Sequence, residues 1–501
     1  MKKIILIPTL TAAIFLFNAC KKGDDSMVVT PPTPVVKPNL IFFGISSNNK
    51  LLKYNANAAQ TVIAQFDITG LQPGENLLAI DFRPATGQLY GIGSSSRLYI
   101  INPENGSARA LGSAAFTPSI SGTITALDFN PTVDRIRLVT NTGQNLRLNP
   151  ETGTVAATDA AINPATAVTG AAYTNSFAGA AATVLYDIDG VKLYKQDPPN
   201  NGSLVEVGNL GITGMGASDF DISPDNKVIL APITVSGVND LYQIDTANGK
   251  AVSLGTLATP IIGLAIPTNP VAYSTDNANN LLIFNLTTPA TPVSKPITGL
   301  QAGENILGMD IRPATGQLYA LGSTSRLYSI NMSSGAAVAV GGPFATLLSG
   351  TSFGFDFNPT VDRIRIISNT GQNLRLDPNT GSVAATDGSL NPGTPMASAA
   401  AYTNNFAGAT TTTLFVIDPS TDKLYTQVPP NNGTLVEIGP LGINVETDNG
   451  FDIGGNSNLA YGIFTVGANS KIYSINLSTG AATALVDFPR LTRGFAIGLG
   501  F

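Results

Sequence analysis

The chain has 501 residues, of which 43% are apolar and 12% charged, with a formal net charge of −6. With no His and one Cys, it excludes Ser-His-Asp triads, Cys-His pairs, His-ligated metal sites and internal disulfides. The acidic balance, with no Lys/Arg run after the first 25 residues, argues against a nucleic-acid partner.

At the N-terminus, Lys2 and Lys3 precede an apolar run from Ile4 to Phe17 that is too short to span a bilayer comfortably. Ala19 then precedes Cys20, the only Cys. This order predicts a lipoprotein signal over residues 1–19 and lipidation of Cys20. The expected partner is therefore a membrane reached through that anchor. The expected location is the bacterial cell envelope, at the outer membrane, with the periplasmic and cell-surface faces both open. A plain secretory signal with an incidental Cys is the alternative. Pro31, Pro32, Pro34 and Pro38 make residues 20–38 a semi-rigid tether. No later stretch reads as a transmembrane helix, because its apolar runs are short and broken by Gly, Pro and Asn.

The remainder is one unit written twice, over residues 39–268 and 269–501. The stretch DFNPTVDRIRLVTNTGQNLRLNPETGTVAATD, Asp128 to Asp159, returns at Asp356 to Asp387 with six differences, most of them Leu/Ile, Val/Ile or Thr/Ser exchanges. Gln72 to Asn102 matches Gln301 to Asn331, and Pro198 to Leu210 matches Pro429 to Leu441. Within each unit a shorter pattern recurs. A strand ends in an Asp, as in LLAIDFRP, ITALDFNP and ASDFDISP. Further strands follow, the third often carrying Leu-Tyr (Leu98-Tyr99, Leu193-Tyr194, Leu241-Tyr242), and Asn/Asp/Gly-rich turns separate them. Four strands per module of about 40 to 50 residues is the pattern of a β-propeller blade. Five modules begin near Asn39, Leu77, Ile124, Thr169 and Ala217. The first lacks an inner strand, which Ile261 to Pro267 can supply. Gly494 to Phe501 can do the same for the second unit. The expected fold is all-β, two tandem five-bladed rings of four-stranded blades; a single ten-bladed ring is the competing topology.

The strings DFRPATGQLYGIGSSSRLYIIN, DFNPTVDRIRLVTNTGQNLRLNPETG, AYTNSFAGA and PPNNGSLVEVG resemble the secreted bacterial domain-of-unknown-function 4394 family. The second copy matches them at Asp310 to Asn331, Asp356 to Gly381, Ala401 to Ala409 and Pro429 to Gly439. The resemblance covers nearly everything after the tether. It implies an exported, β-propeller-like protein and brings no activity, cofactor or catalytic residue. One departure is Asp452-Ile453-Gly454-Gly455, which lacks the Pro of Asp221-Ile222-Ser223-Pro224.

Three inner strands per unit place an Asp at an equivalent point: Asp81, Asp128 and Asp221, then Asp310, Asp356 and Asp452. Such a ring of carboxylates could hold a cation or hydrolyse a glycoside. Its repetition favours a structural role instead, each Asp locking one strand to the next. Arg137 and Arg147, with Arg365 and Arg375, fall on the same face as Asp128 and Asp356. They read as a partly buried charge ladder, or alternatively as an anion site. Arg83, Arg97, Arg312 and Arg326 raise the same choice. Asp187-Ile188-Asp189-Gly190 reads as a hairpin turn rather than a calcium loop. Tyr90, Tyr99, Tyr194 and Tyr242 read as packing between blades. No catalytic residue, metal site or cofactor is assigned. The expected function is a non-enzymatic binding or interaction module whose ligand is a glycan, peptide or protein. A carboxylate-based glycan hydrolase or lyase and a structural envelope protein are the alternatives.

Overall fold

Every sheet in this protein is antiparallel, and no α-helix occurs among the described residues. The computed structural model describes residues 36–212 and 215–501. Cys20 and the preceding signal lie outside them. Residues 37–501 form one compact unit of ten sheets, each built on a four-stranded path. The fold is thus all-β and β-propeller-like.

Sheets 2, 3 and 4 each consist of four strands in sequence, beginning with Leu77–Phe82, Thr125–Asn130 and Gly170–Tyr173. Sheet 5 has its innermost strand in two pieces, Met215–Ser218 and Asp221–Ile222. Sheet 1 is assembled from both ends of the first copy. Ile41–Ile45, Lys50–Asn55 and Val62–Asp67 are completed by Gly263–Ala265, which pairs with Ile41–Ile45. The second copy repeats this plan. Thr492–Ile497 pairs with Val271–Asp276 to complete sheet 6, and sheets 7 to 10 begin with Ile306–Arg312, Phe353–Asn358, Ala399–Tyr402 and Asn449–Ile453. The lent closing strands expected from IIGLAIP and GFAIGLGF are therefore present, the second one starting at Thr492.

Strand position explains strand sequence. Innermost strands such as Asn449–Ile453 are buried at every residue, so they carry no two-residue alternation. Outermost strands such as Val155–Thr158 and Val383–Thr386 alternate half-buried and exposed, because one face meets water. The cores lie between neighbouring sheets. Tyr90 packs edge-on to Phe129 across sheets 2 and 3, and Tyr319 to Phe357 across sheets 7 and 8. Turns dock on the preceding sheet. Gly153, at φ 71°, sits where a Cβ would lie 2.7 Å from the Leu111 carbonyl oxygen, so both its conformation and its surroundings require Gly.

The two copies meet through their RPATGQ loops. Arg83 Nη1 donates to the Gly316 carbonyl at 2.9 Å, Tyr273 Oη to the Ala85 carbonyl at 2.8 Å, and Gly500 N to the Thr86 carbonyl at 2.9 Å. Arg109 also donates to the Ala314 carbonyl.

Candidate functional site: carboxylates where the inner strands converge

The Asp residues singled out in the sequence do converge. Asp81, Asp128 and Asp221 place carboxylate oxygens within 4.8 Å of one another, and so do Asp310, Asp356 and Asp452. All six are buried. Their partners are main-chain amides, as a structural lock between strands requires. Asp81 accepts from Phe82 N at 2.6 Å and from Phe129 N, on the next sheet, at 2.8 Å. Asp128 accepts from Tyr173 N of sheet 4 at 3.0 Å. Asp221 accepts from Ile222 N at 2.5 Å and from Ile266 N, just after the strand lent to sheet 1, at 2.6 Å. The second copy repeats the scheme. Asp310 accepts from Phe357 N, Asp356 from Tyr402 N and Asp452 from Ile497 N, at 2.8, 3.0 and 2.6 Å. Each carboxylate therefore ties its own inner strand to that of another sheet.

Three carboxylates this close cannot all be ionised in a dry setting. Burial pushes Asp221 and Asp310 up to about 7. Burial, and then the Asp221 charge, raises Asp81 well above the ordinary carboxylate range; burial, Asp81 and Asp221 do the same to Asp128. Burial followed by the Asp310 charge raises Asp356 and Asp452. The trios thus share protons near neutrality. A cation held there would replace those protons.

One turn of strand away from the second trio the inner strands carry glycines. The cavity between Gly308, Gly354, Gly450 and Gly494 measures about 10 Å³, room for about one water. Glycines make the convergence possible. A Cβ on Gly354 would lie 2.7 Å from Ala400 N, and one on Gly494 2.8 Å from Met309 N.

The arginines lie further out. The register places Asp128 opposite Arg137 and Arg137 opposite Arg147, the shared face expected from the sequence. Their carboxylate partner is nevertheless Asp159, not Asp128. Arg137 Nη1 reaches Asp159 at 2.6 Å, and Arg147 Nε and Nη2 grip it at 2.8 Å. Arg137 also donates to the Tyr173 hydroxyl on sheet 4 and to Asn200 in the 3-10 turn between two strands of that sheet. Against burial, which pushes it up, hydrogen bonds from Arg147 and Arg137 hold the Asp159 carboxyl below its ordinary value. Arg365, Arg375 and Asp387 repeat the arrangement. Arg83 forms a forked pair with Asp134, and Arg312 with Asp362. Of the four tyrosines, Tyr90 and Tyr99 are fully enclosed, Tyr194 is buried and donates to Asp189, and Tyr242 is half-buried. Asp189 accepts from Val191 N and Lys192 N, as a hairpin turn requires.

Asp219 escaped the sequence reading, and Asp187, read with the hairpin turn at Asp189, lies in the strand Leu185–Ile188. Asp219 accepts from Leu264 N at 3.1 Å and has Gly450 as its counterpart, so comparison of the copies does not flag it as a repeated feature. Asp187 is fully buried, and neither carboxylate oxygen has a hydrogen-bond partner among the described residues. Burial pushes it up to about 8. The signal that could have revealed it is its counterpart in the second copy, the apolar Val416.

Fold and site together define a tandem, β-propeller-like protein whose inner strands are stapled by shared-proton carboxylates. The chain belongs to the family described as Domain of unknown function (DUF4394), which matches residues 50–265 and again 280–496. None of the curated proteins compared with it matches. Among solved structures, it is similar to PorZ of Porphyromonas gingivalis, described as an essential bacterial surface component of the type-IX secretion system. The identity is 14% over 90% of this chain and 58% of that one, with a TM-score of 0.26. It is similar also to the extracellular domain of BT4673 from B. thetaiotaomicron, at 14% identity over 90% of this chain and 59% of that one, with a TM-score of 0.25. This chain thus spans less than two thirds of either structure, and likenesses at these TM-scores carry no argument about function. Among the described residues, no helix is long and apolar enough to cross a membrane.

Proposed function

We propose that the protein is an exported, lipid-anchored module of the bacterial cell envelope that binds a glycan, peptide or protein and catalyses no reaction. The observation that carries this reading is the state of the six convergent carboxylates. They are the acids the two copies hold in common at the meeting point of the inner strands, and all are enclosed and bonded to main-chain amides. A glycosidase needs two carboxyl groups in unlike surroundings on either side of a bound sugar. Here all six are buried, and each is engaged by a main-chain amide of another sheet or of the strand lent to it.

Two five-bladed rings are the arrangement that best accounts for the contacts. Sheet 5 packs against sheet 1 through Leu230, Leu241, Leu52 and Tyr54, and sheet 10 against sheet 6 through Ile463, Ile472, Leu282 and Phe284. Asp221 and Asp452 bond across those same two junctions. In a ten-bladed ring, sheet 5 would instead be followed by sheet 6. The anchor reading rests on Cys20 and on the apolar run before it.

The experiment is a thermal melt of the full chain in detergent with a panel of neutral and acidic oligosaccharides, peptidoglycan fragments and peptides. A ligand of the folded state raises the midpoint by an amount set by its concentration over its Kd. A shift with one class, without turnover of that ligand, supports the proposal; product formation that Asp128→Asn abolishes would overturn it. Cys20→Ala should move the protein from the membrane to the soluble fraction.

A further inference from the structure

The two copies differ in ion pairing at a cleft that the convergent carboxylates do not line. Beside sheet 3 of the first copy is a cavity of about 260 Å³ whose lining includes Arg135, Arg137, Arg147, Tyr173, Pro198 and Pro199. That volume is below the range of drug-sized pockets and suits a ligand of about one sugar ring. Arg137 and Arg147 share a single carboxylate, Asp159, so two guanidinium charges face one negative charge. Arg135 donates to the Asp134 carbonyl and forms no ion pair among the described residues. Glu151 feels the Arg135 charge but makes its contact with Arg83, at 3.4 Å.

In the second copy the same three positions are Arg363, Arg365 and Arg375. There Arg363 is paired with Asp377 at 3.2 Å, while Arg365 and Arg375 share Asp387. The residue matching Asp377 in the first copy is Asn149. The exchanges Asn149/Asp377 and Glu151/Asn379 are the only ones in the repeated 32-residue stretch that alter charge. The two exchanges offset each other in charge, so what differs is its placement: the three arginines have one paired carboxylate, Asp159, in the first copy and two, Asp377 and Asp387, in the second.

We propose that this cleft binds the carboxylate of a small ligand, about the size of one uronic acid residue or one acylated amino acid. The Arg147 guanidinium, about one third exposed, has its Nη1 edge uncommitted and presents it to the ligand. Arg137 is held rigid by Asn145, Asp159, Asn200 and Tyr173, so little freedom is lost on binding. Pro198 and Pro199 offer an apolar wall to the body of the ligand. This inference rests on the binding-module reading and names the ligand class for one of its sites.

The test is calorimetric titration of the full chain in detergent with sodium glucuronate and, separately, N-acetylalanine. Glucose and inorganic phosphate serve as comparators. The expected result is one site per chain for one of the two carboxylates and none for glucose; which carboxylate binds identifies its source. Arg147→Gln and Asn149→Asp should each weaken that binding by about tenfold or more, as loss of a charge-assisted contact does. Lys227→Gln, which removes an exposed charge elsewhere in the first copy, should leave it unchanged. Asn149→Asp keeps the test open should Arg147→Gln fold poorly, because Asp377 already occupies that position in the second copy and makes the same turn bond. Absence of binding by both carboxylates, equal binding of phosphate, or binding unaffected by Asn149→Asp would overturn the site. If carboxylates fail while a neutral glycan or peptide shifts the melt, the site falls and the binding-module reading stands.

Discussion

Replacing Asp187 by Val, the residue at the same position of the second copy, should stabilise the protein, increasingly so as pH rises. Asp187 is enclosed with both oxygens unpartnered, so the folded chain holds it protonated up to about pH 8, whereas an unfolded Asp ionises near 3.8. Between those values the folded state binds a proton that the unfolded state has lost. Its contribution is therefore fully present below the unfolded value and is lost as pH climbs through the folded one. At pH 7 the folded chain has held that proton over about three pH units, each worth about 1.4 kcal/mol, so the loss relative to low pH is roughly 4 kcal/mol. Valine has no proton to lose. In the second copy Val416 packs with Ile367, Ala400 and Leu414, which shows that the site accepts it. The assay is urea unfolding of both proteins at pH 5, 7 and 9. The native curve should fall more steeply with pH than that of Asp187→Val, and the variant should have the higher midpoint at pH 7. Parallel curves, or a variant less stable at pH 7, would refute the reasoning.

Asp81→Ala leaves the amides of Phe82 and Phe129 buried without an acceptor, a loss of about 2–5 kcal/mol; Asp81→Asn, which keeps one acceptor oxygen, should lose less than half of that in the same urea melts. Arg83→Ala strands Asp134 and removes the bond to Gly316, so it should destabilise by about 3–5 kcal/mol and loosen the join between the copies, read as faster amide exchange in the 312–316 loop. Gly354→Ala forces a methyl against Ala400 and should lower stability by about 1–3 kcal/mol in thermal melts.

The duplication, the strand modules and the lent closing strands were all legible in the sequence. Each is written in residues close together in the chain: a two-residue alternation, an Asn/Asp/Gly turn, or a string that recurs after one unit. The six convergent Asp residues were legible for the same reason, since each ends the inner strand of its module. What tertiary structure alone decided is whom each charge meets. Asp128 stands opposite Arg137 in the sheet, yet it accepts from Tyr173, 45 residues on, because its carboxylate points to the neighbouring sheet's main chain. Arg137 turns instead to Asp159, across the strand that carries Arg147. The packing of one sheet on the next sets the first pairing and the reach of Arg137 across its own sheet the second, and neither is written in a local pattern. Burial was equally hidden. Asp187 reads as part of a hairpin turn until the fold buries it in a strand with no hydrogen-bond partner among the described residues, and Asn149 and Asp377 look interchangeable until one of them leaves an arginine unpaired.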